Sequence, residues 1–211
     1  MKNQITIREL QNSDIDALAE IIRETWQYDK FCSPKTAKKM GKVYLSSCLT
    51  NQTFTRVAVV DEIPVGIIMG KNIQKHKCPL ALRLKAWFSI VSLLSTKEGR
   101  YISKIFAGVD KIDKELLESC SQKYLGEVSF FAVSSKYRGL GLGKSLFQEL
   151  LQYMEQEQIR NFYLFTDTSC NYGFYESQGM RRCCEKKLSL QIGKEKQEMT
   201  FFLYDYQYKT M

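Results

Sequence analysis

Residues 127–151 constrain this chain more than any other stretch. Glu127 to Val133 reads Glu-Val-Ser-Phe-Phe-Ala-Val, a β-branched and aromatic run that predicts a strand. After Ser-Ser-Lys-Tyr comes Arg138-Gly-Leu-Gly-Leu-Gly-Lys144, and from Ser145 the apolar residues Leu146, Phe147, Leu150, Leu151 and Met154 fall on one face of a helix. The local reading is strand, glycine-rich turn, helix. Gly139, Gly141 and Gly143 lie where the chain must turn into that helix, and without Cβ atoms they can take positive φ and admit a ligand to the bare backbone. The unpaired N–H groups of the helix start, at the positive end of its dipole, form a seat for phosphate.

Two nucleotide-binding patterns come close and fail. Gly-x-Gly-x-x-Gly would need glycine at Lys144 or at Leu146, and Gly-x4-Gly-Lys-Ser finds Gly143-Lys144-Ser145 but has Arg138 where its first glycine belongs. Arg-x-x-Gly-x-Gly does fit, as Arg138, Gly141 and Gly143. In that form the stretch resembles the pyrophosphate loop of the GNAT superfamily, the acyl-CoA-dependent N-acyltransferases. The plain alternative is a glycine-rich turn that binds nothing.

The rest of the chain follows the order that this resemblance implies. Ile5–Glu9 reads as a strand. Ser13 is placed to cap a helix with Asp14 and Asp16 in its first turn and Ile15, Leu18, Ile22 and Trp26 along its stripe. Ser33-Pro34 starts a second helix, with Ala37, Met40, Tyr44 and Cys48 on one face. Phe54–Val60 and Val65–Met69 read as strands joined through Asp61–Pro64. Between residues 72 and 124, three helices are expected over Leu80–Ser95, Glu98–Phe106 and Asp110–Cys120. After the central strand and its helix come a strand at Asn161–Thr166 and a helix at Cys170–Gln178. A hairpin of Arg182–Leu190 and Gln197–Tyr208 closes around Gln191–Gly193. The fold expected is α/β: a mixed central sheet of about seven strands flanked by helices, with a helical insertion between the third and fourth strands. Residues 1–211 form a single domain on this reading. In the GNAT fold the central strand and its successor splay apart and acyl-CoA lies in the opening; this comes with the resemblance alone.

Transfer of an acyl group to an amine needs a neutral amine, a stabilised oxyanion and a proton for the departing thiolate. The run Glu-Val-Ser-Phe-Phe-Ala-Val is similar to the equivalent strand of histone-type members, whose matching Glu is the general base; here that is Glu127. The alternative is a strand-end glutamate in an ion pair. Phe174-Tyr175-Glu-Ser-Gln-Gly179-Met180 is similar to the family's Phe-Tyr-x-x-x-Gly-Phe ending, with Met180 for the last aromatic. The matching Tyr protonates the CoA thiolate, so Tyr175 is the candidate acid, against the alternative of a core aromatic. The family's Asn seven residues before this Tyr falls on Thr168, and Asn171 is out of register. Backbone groups of Phe131, Ala132 and Val133 would hold pantetheine like an added strand. Arg138, Gly139, Leu140, Gly141, Leu142, Gly143 and Lys144 would take the pyrophosphate. Strand alternation puts Glu127, Ser129, Phe131 and Val133 on one face and Val128, Phe130 and Ala132 on the other.

Composition narrows the partners. At 44% hydrophobic and 26% charged the chain is that of a soluble globular protein. No apolar run is long enough to span a bilayer and the N-terminus lacks a signal-peptide core, so a cytoplasmic location is expected. Seven cysteines without C-x-x-C spacing, with His76 alone beside them, suggest reduced thiols and no metal. The donor implied is acetyl-CoA and the acceptor a small-molecule or peptide amine, with the oligomeric state left open. Of the +8 net charge, +7 sits between Lys71 and Val109, where eight Lys and Arg face Glu98 alone. Charge confined to one segment, with no aromatic-plus-basic stacking strand, argues against a nucleic-acid binder. The chain of the insertion returns at Tyr124–Gly126, immediately before Glu127 and so roughly 20 Å of strand away from the pyrophosphate loop. It is therefore read as a roof over the acceptor side. It would act as a lid for an acceptor with negative charge near its amine, or for one at an anionic membrane surface. Alternatively it is a helix packed on the body whose charges only solubilise it. A CoA-binding module without catalysis is the competing reading of the whole chain.

Overall fold

A computed structural model describes residues 4–192 and 195–208; Gly193, part of the expected closing turn, lies outside them. Seven strands, β1 (Ile5–Arg8), β2 (Phe54–Val60), β3 (Ile63–Asn72), β4 (Gly126–Val133), β5 (Asn161–Asp167), β6 (Arg181–Ile192) and β7 (Glu195–Gln207), form one sheet. Their order is β1-β2-β3-β4-β5-β7-β6. Every pairing is antiparallel except β4–β5, which is parallel. The helices are α1 (Ile15–Thr25), α2 (Pro34–Thr50), α3 (Leu80–Leu94), α4 (Lys97–Ser119), α5 (Leu142–Gln156) and α6 (Gly173–Ser177).

Each face of the sheet has its own core. Leu146, Phe147, Leu150 and Met154 of α5 bury against Val60, Ile68, Val128 and Phe162. On the opposite face, Leu18 and Ile22 of α1 and Ala37 and Leu45 of α2 pack on Val57, Ile67, Met69, Phe130 and Ala132. Helix α4 lays Ile112 and Leu116 on Tyr163, Phe201 and Leu203, covering the β5–β7 part of the sheet. Glu98 ties α4 to α2: it accepts the Ser33 N–H at 2.8 Å and the Ser33 hydroxyl at 2.6 Å, and the Thr36 hydroxyl also bonds to it.

Several local expectations change. Ser13 does not cap α1 but lies in a 3-10 turn, Asn12–Asp14. Asp14 is buried there, bonded to both Arg8 guanidinium nitrogens (2.7 and 2.9 Å) and to the Gln11 N–H at 2.8 Å. The Arg8 guanidinium holds the Asp14 carboxyl below the usual carboxylate range. The β2–β3 connection is tighter than expected: Asp61 and Glu62 both take positive φ (47° and 67°), as a two-residue hairpin turn requires. The two helices expected over 98–120 are one. The Gly108 between them costs an interior helix only about 1 kcal/mol, less than continued packing along α4 returns.

The change that matters most is in β4. Phe130 pairs with Met69 and Val128 with Gly70, so Ser129 has no partner and bulges. One extra residue reverses the alternation. Val128 faces α5, yet beyond the bulge it is Phe131 and Val133 that face α5, while Phe130 and Ala132 face α1 and α2. Glu127, opposite in sense to Val128, therefore shares its face with Phe130 and Ala132, not with Phe131 and Val133 as simple alternation implies.

Candidate active site

Strands β4 and β5 pair only at Gly126↔Phe162 and Glu127↔Tyr163. Beyond Glu127 no ladder joins them, so the backbone from Val128 to Val133 has an unpaired edge on the β5 side. The splay that came with the resemblance is present, and Glu127 stands at its vertex. At the far end of β4, Gly139 (φ 85°) and Gly141 (φ 74°) turn the chain into α5 with Gly141 as its N-cap. A Cβ built on either glycine would meet nothing within 4 Å. The first helical N–H to find a carbonyl is that of Ser145, bonded to Gly141 O at 3.0 Å; among the described residues none from Gly139 to Lys144 donates a hydrogen bond. These groups, with the exposed side chains of Arg138 and Lys144, fit a pyrophosphate. Leu140 is exposed, but the Leu142 side chain is buried in the α5 core, so this residue offers only its N–H.

Glu127 is mostly buried, its side chain 13% exposed. Lys71, its cross-strand partner on β3, places Nζ 3.5 Å from Oε2, and Asn51 at the end of α2 donates to Oε1 at 3.3 Å. Lys71 also donates to Asn51 Oδ1 at 2.7 Å, closing a triangle that holds the carboxylate in place. The ion-pair reading of Glu127 thus holds, and it does not exclude a base: one carboxylate can be oriented by a lysine and still take a proton. Burial first, and then the negative charge of Glu127, push the Cys48 thiol up to about 12, and both act on the Tyr163 phenol in the same direction.

Helices α2 and α4 flank this point on one face of the sheet. Tyr44 of α2 joins Trp26 and Phe130 in a three-ring cluster with centroids 5.4–5.9 Å apart. Tyr44 is 39% exposed, yet its phenol is raised far above its usual range, by burial first of all. From α4 comes Asp113, whose Oδ1 is buried without a hydrogen-bond partner among the described residues. Burial, then the charges of Asp110, Asp167 and Glu127, push its carboxyl up to about 7. Sequence reasoning passed over Asp113. Its signal was position: it falls on the stripe Val109, Ile112, Leu116, Leu117, where every other residue is apolar.

Tyr175, on α6, lies against Phe131, Phe174 and Tyr204 at centroid distances of 6.3, 5.6 and 6.1 Å. Burial, then Cys170 and Asp167, raise its phenol above the usual value, so it stays protonated at neutral pH. The packed-aromatic alternative holds, and the phenol keeps its proton. Asp167 acts on Tyr175 and on Asp113 alike, so the phenol and the α4 carboxylate border one region. Of the basic segment, Arg83 and Lys85 lie on the exposed surface of α3, whereas Lys71 stands beside Glu127, with the Asp113 carboxyl and the Tyr163 phenol nearby. Among the described residues no group of three or more His, Cys, Asp or Glu could hold a metal ion.

Comparison with known proteins agrees with this geometry. The profile of the acetyltransferase (GNAT) family matches residues 15–180. The structure of PH1933 from Pyrococcus horikoshii superposes with a TM-score of 0.61 at 15% identity, over 98% of this chain and 100% of that one. A ribosomal-protein-alanine N-acetyltransferase from Brucella melitensis gives 0.56 at 14% identity, over 96% and 99%. An N-acetyltransferase from Staphylococcus aureus gives 0.56 at 11%, over 97% and 98%. At such identities the likeness is one of fold. No curated protein matches the chain in sequence.

Proposed function

Because the chain belongs to the GNAT acetyltransferase family, we propose that it moves an acetyl group from acetyl-CoA to a primary amine by direct attack, with Glu127 as general base and Tyr175 as general acid. One observation carries this reading: the β4–β5 ladder ends at Glu127, leaving an opening that leads along β4 towards the glycine loop. Acetyl-CoA supplies the activated acyl carbon. Glu127 takes a proton from the acceptor ammonium, directly or through one water, and frees the nitrogen lone pair for attack on the thioester carbonyl. The unpaired β4 edge near Phe131–Val133 offers an N–H to the oxygen on which negative charge develops. As the C–S bond breaks, Tyr175 gives its hydroxyl proton to the sulfur; the second proton of the attacking nitrogen passes through water to the phenolate, and Glu127 releases the first to solvent.

The acceptor on this reading approaches as a cation. Asp113 and Asp167 add carboxyls around the Lys71–Glu127 pair at its end of the site, whereas Arg83 and Lys85 face outward on α3. A plain monocationic or dicationic amine therefore suits the site better than an amine flanked by negative charge.

Glu127→Gln and Tyr175→Phe test the roles. Glu127→Gln keeps the Asn51 contact and removes the base; kcat for CoA release should fall by about 10²-fold or more. Stabilisation by acetyl-CoA should persist. Wild-type kcat in Glu127→Gln across the pH range would remove it as base. A second reading, a CoA-binding module without catalysis, is favoured by the hold of Lys71 and Asn51 on Glu127. It requires that the wild-type protein be stabilised by acetyl-CoA yet release no CoA with any amine in a broad panel.

A further inference from the structure

Helix α3 is amphipathic the wrong way round. Of its inward positions, Leu82, Ala86, Ser89 and Leu93, two are small and only Ala86 and Leu93 are buried. Ser89 meets Ser46 of α2 across a 3.4 Å hydroxyl contact. The large residues point to solvent: Leu80 is 70% exposed, Phe88 63%, Trp87 56% and Leu84 48%, with Val91 and Leu94 continuing the line. Spaced at 80, 84, 87, 88, 91 and 94, they make one stripe along a helix about 22 Å long at 1.5 Å per residue. The outward pose is fixed rather than slack. Lys39 of α2 donates to the Ser92 carbonyl and Arg100 of α4 to the Leu94 carbonyl, each at 2.8 Å. An exposed contiguous apolar stripe of this size marks an interaction surface.

We propose that this face of α3 docks onto an anionic phospholipid bilayer. The charge pattern chooses this occupant. Arg83 and Lys85 flank the stripe, and Lys77, Lys97, Arg100 and Lys104 stand exposed on its approaches. No Asp or Glu occurs from Ile63 to Lys97. A second copy of the chain would bring like charges together around the stripe, at a cost that an anionic surface turns into attraction. Trp87 and Phe88, in edge-to-face contact at 5.0 Å, provide rings suited to the headgroup boundary, and the aliphatic residues provide shallow insertion. The helix lies on the bilayer and does not cross it: no helix among the described residues is long and apolar enough to span. This docking does not depend on the enzymatic reading.

Co-sedimentation of the full-length protein with phosphatidylcholine vesicles, with and without phosphatidylserine, tests it. The protein should pellet with the anionic vesicles and stay in solution with the neutral ones. At about 1 kcal/mol for each basic residue near the surface, Arg83→Gln/Lys85→Gln should weaken binding roughly 25-fold. Trp87→Ser/Phe88→Ser should abolish it while circular dichroism and the thermal melt stay those of wild type. Absence of binding to anionic vesicles, or unchanged binding in both variants, overturns the proposal. So does a wild-type dimer in sedimentation velocity that Trp87→Ser/Phe88→Ser dissociates, since that assigns the stripe to a second copy.

Discussion

Helices α3 and α5 have fifteen residues each and meet opposite fates. Helix α5 buries Leu142, Leu146, Phe147, Leu150 and Met154 and turns its charged residues outward. Helix α3 is the more apolar of the two by sequence, yet buries only Ala86 and Leu93. The difference lies in the neighbours. Helix α5 follows a turn that sets it flat on the sheet, where strands β2, β3 and β4 supply apolar partners along its length. Helix α3 rests on α2, whose own apolar face is already committed to α1 and the sheet. Hydrophobicity is thus a demand for a partner, and the fold meets that demand for α5 and leaves it open for α3.

Four substitutions break or sharpen the contrast. Phe147→Ala, at a fully buried ring packed edge-on against Phe174, should cost about 3–5 kcal/mol in urea unfolding. A loss under about 1 kcal/mol would mean that α5 is not the core helix described. Gly141→Val strains the N-cap, where φ is 74°, and sets a branched side chain in the open space of the loop; it should remove the thermal stabilisation by acetyl-CoA, about 2.7 kcal/mol at a hundredfold excess over Kd. Retention of the wild-type shift would take the phosphate site away from this loop. Asp113→Asn addresses α4, the partner of α3. With its carboxyl raised from 3.8 to about 7, the folded protein holds a proton that the unfolded chain gives up. The stability contributed by the protonated form is therefore full below pH 4 and lost as pH climbs through 7. The variant should match wild type in acid and exceed it at pH 8 by more than about 1 kcal/mol, since each pKa unit of the shift is worth roughly that much. Equal melting curves at both pH values would refute the burial of Asp113. Smallest of all, Phe88→Ser should move stability by no more than about 0.5 kcal/mol, as at any exposed position. A large loss there would show that α3 is packed after all.

Much of this was legible in the chain because it rests on local chemistry. The glycine spacing and the apolar period of 146–154 determine a turn and a helix whatever surrounds them, and the positions of Glu127 and Tyr175 followed from short motifs. What could not be read depends on a second element. The bulge at Ser129 exists only against the register of β3, and it decides that Glu127 looks towards α2 and α4. Asp113 becomes a member of the site only because α4 runs unbroken through Gly108 and lies over β5 and β7. The outward stripe of α3 was visible as a stripe, but which way it points was not.

The short ladder between β4 and β5 has a mechanical consequence. Strands β1 to β4 and strands β5 to β7 are two covers bound along a spine only two residue pairs deep, Gly126↔Phe162 and Glu127↔Tyr163. Were such covers to open or close on their shared α5 core, displacement would grow with distance from the spine, so that Val133, about 20 Å along the strand, would travel farther than Glu127. Such a hinge would widen the mouth while the carboxylate, pinned at the pivot by Lys71 and Asn51, kept its place.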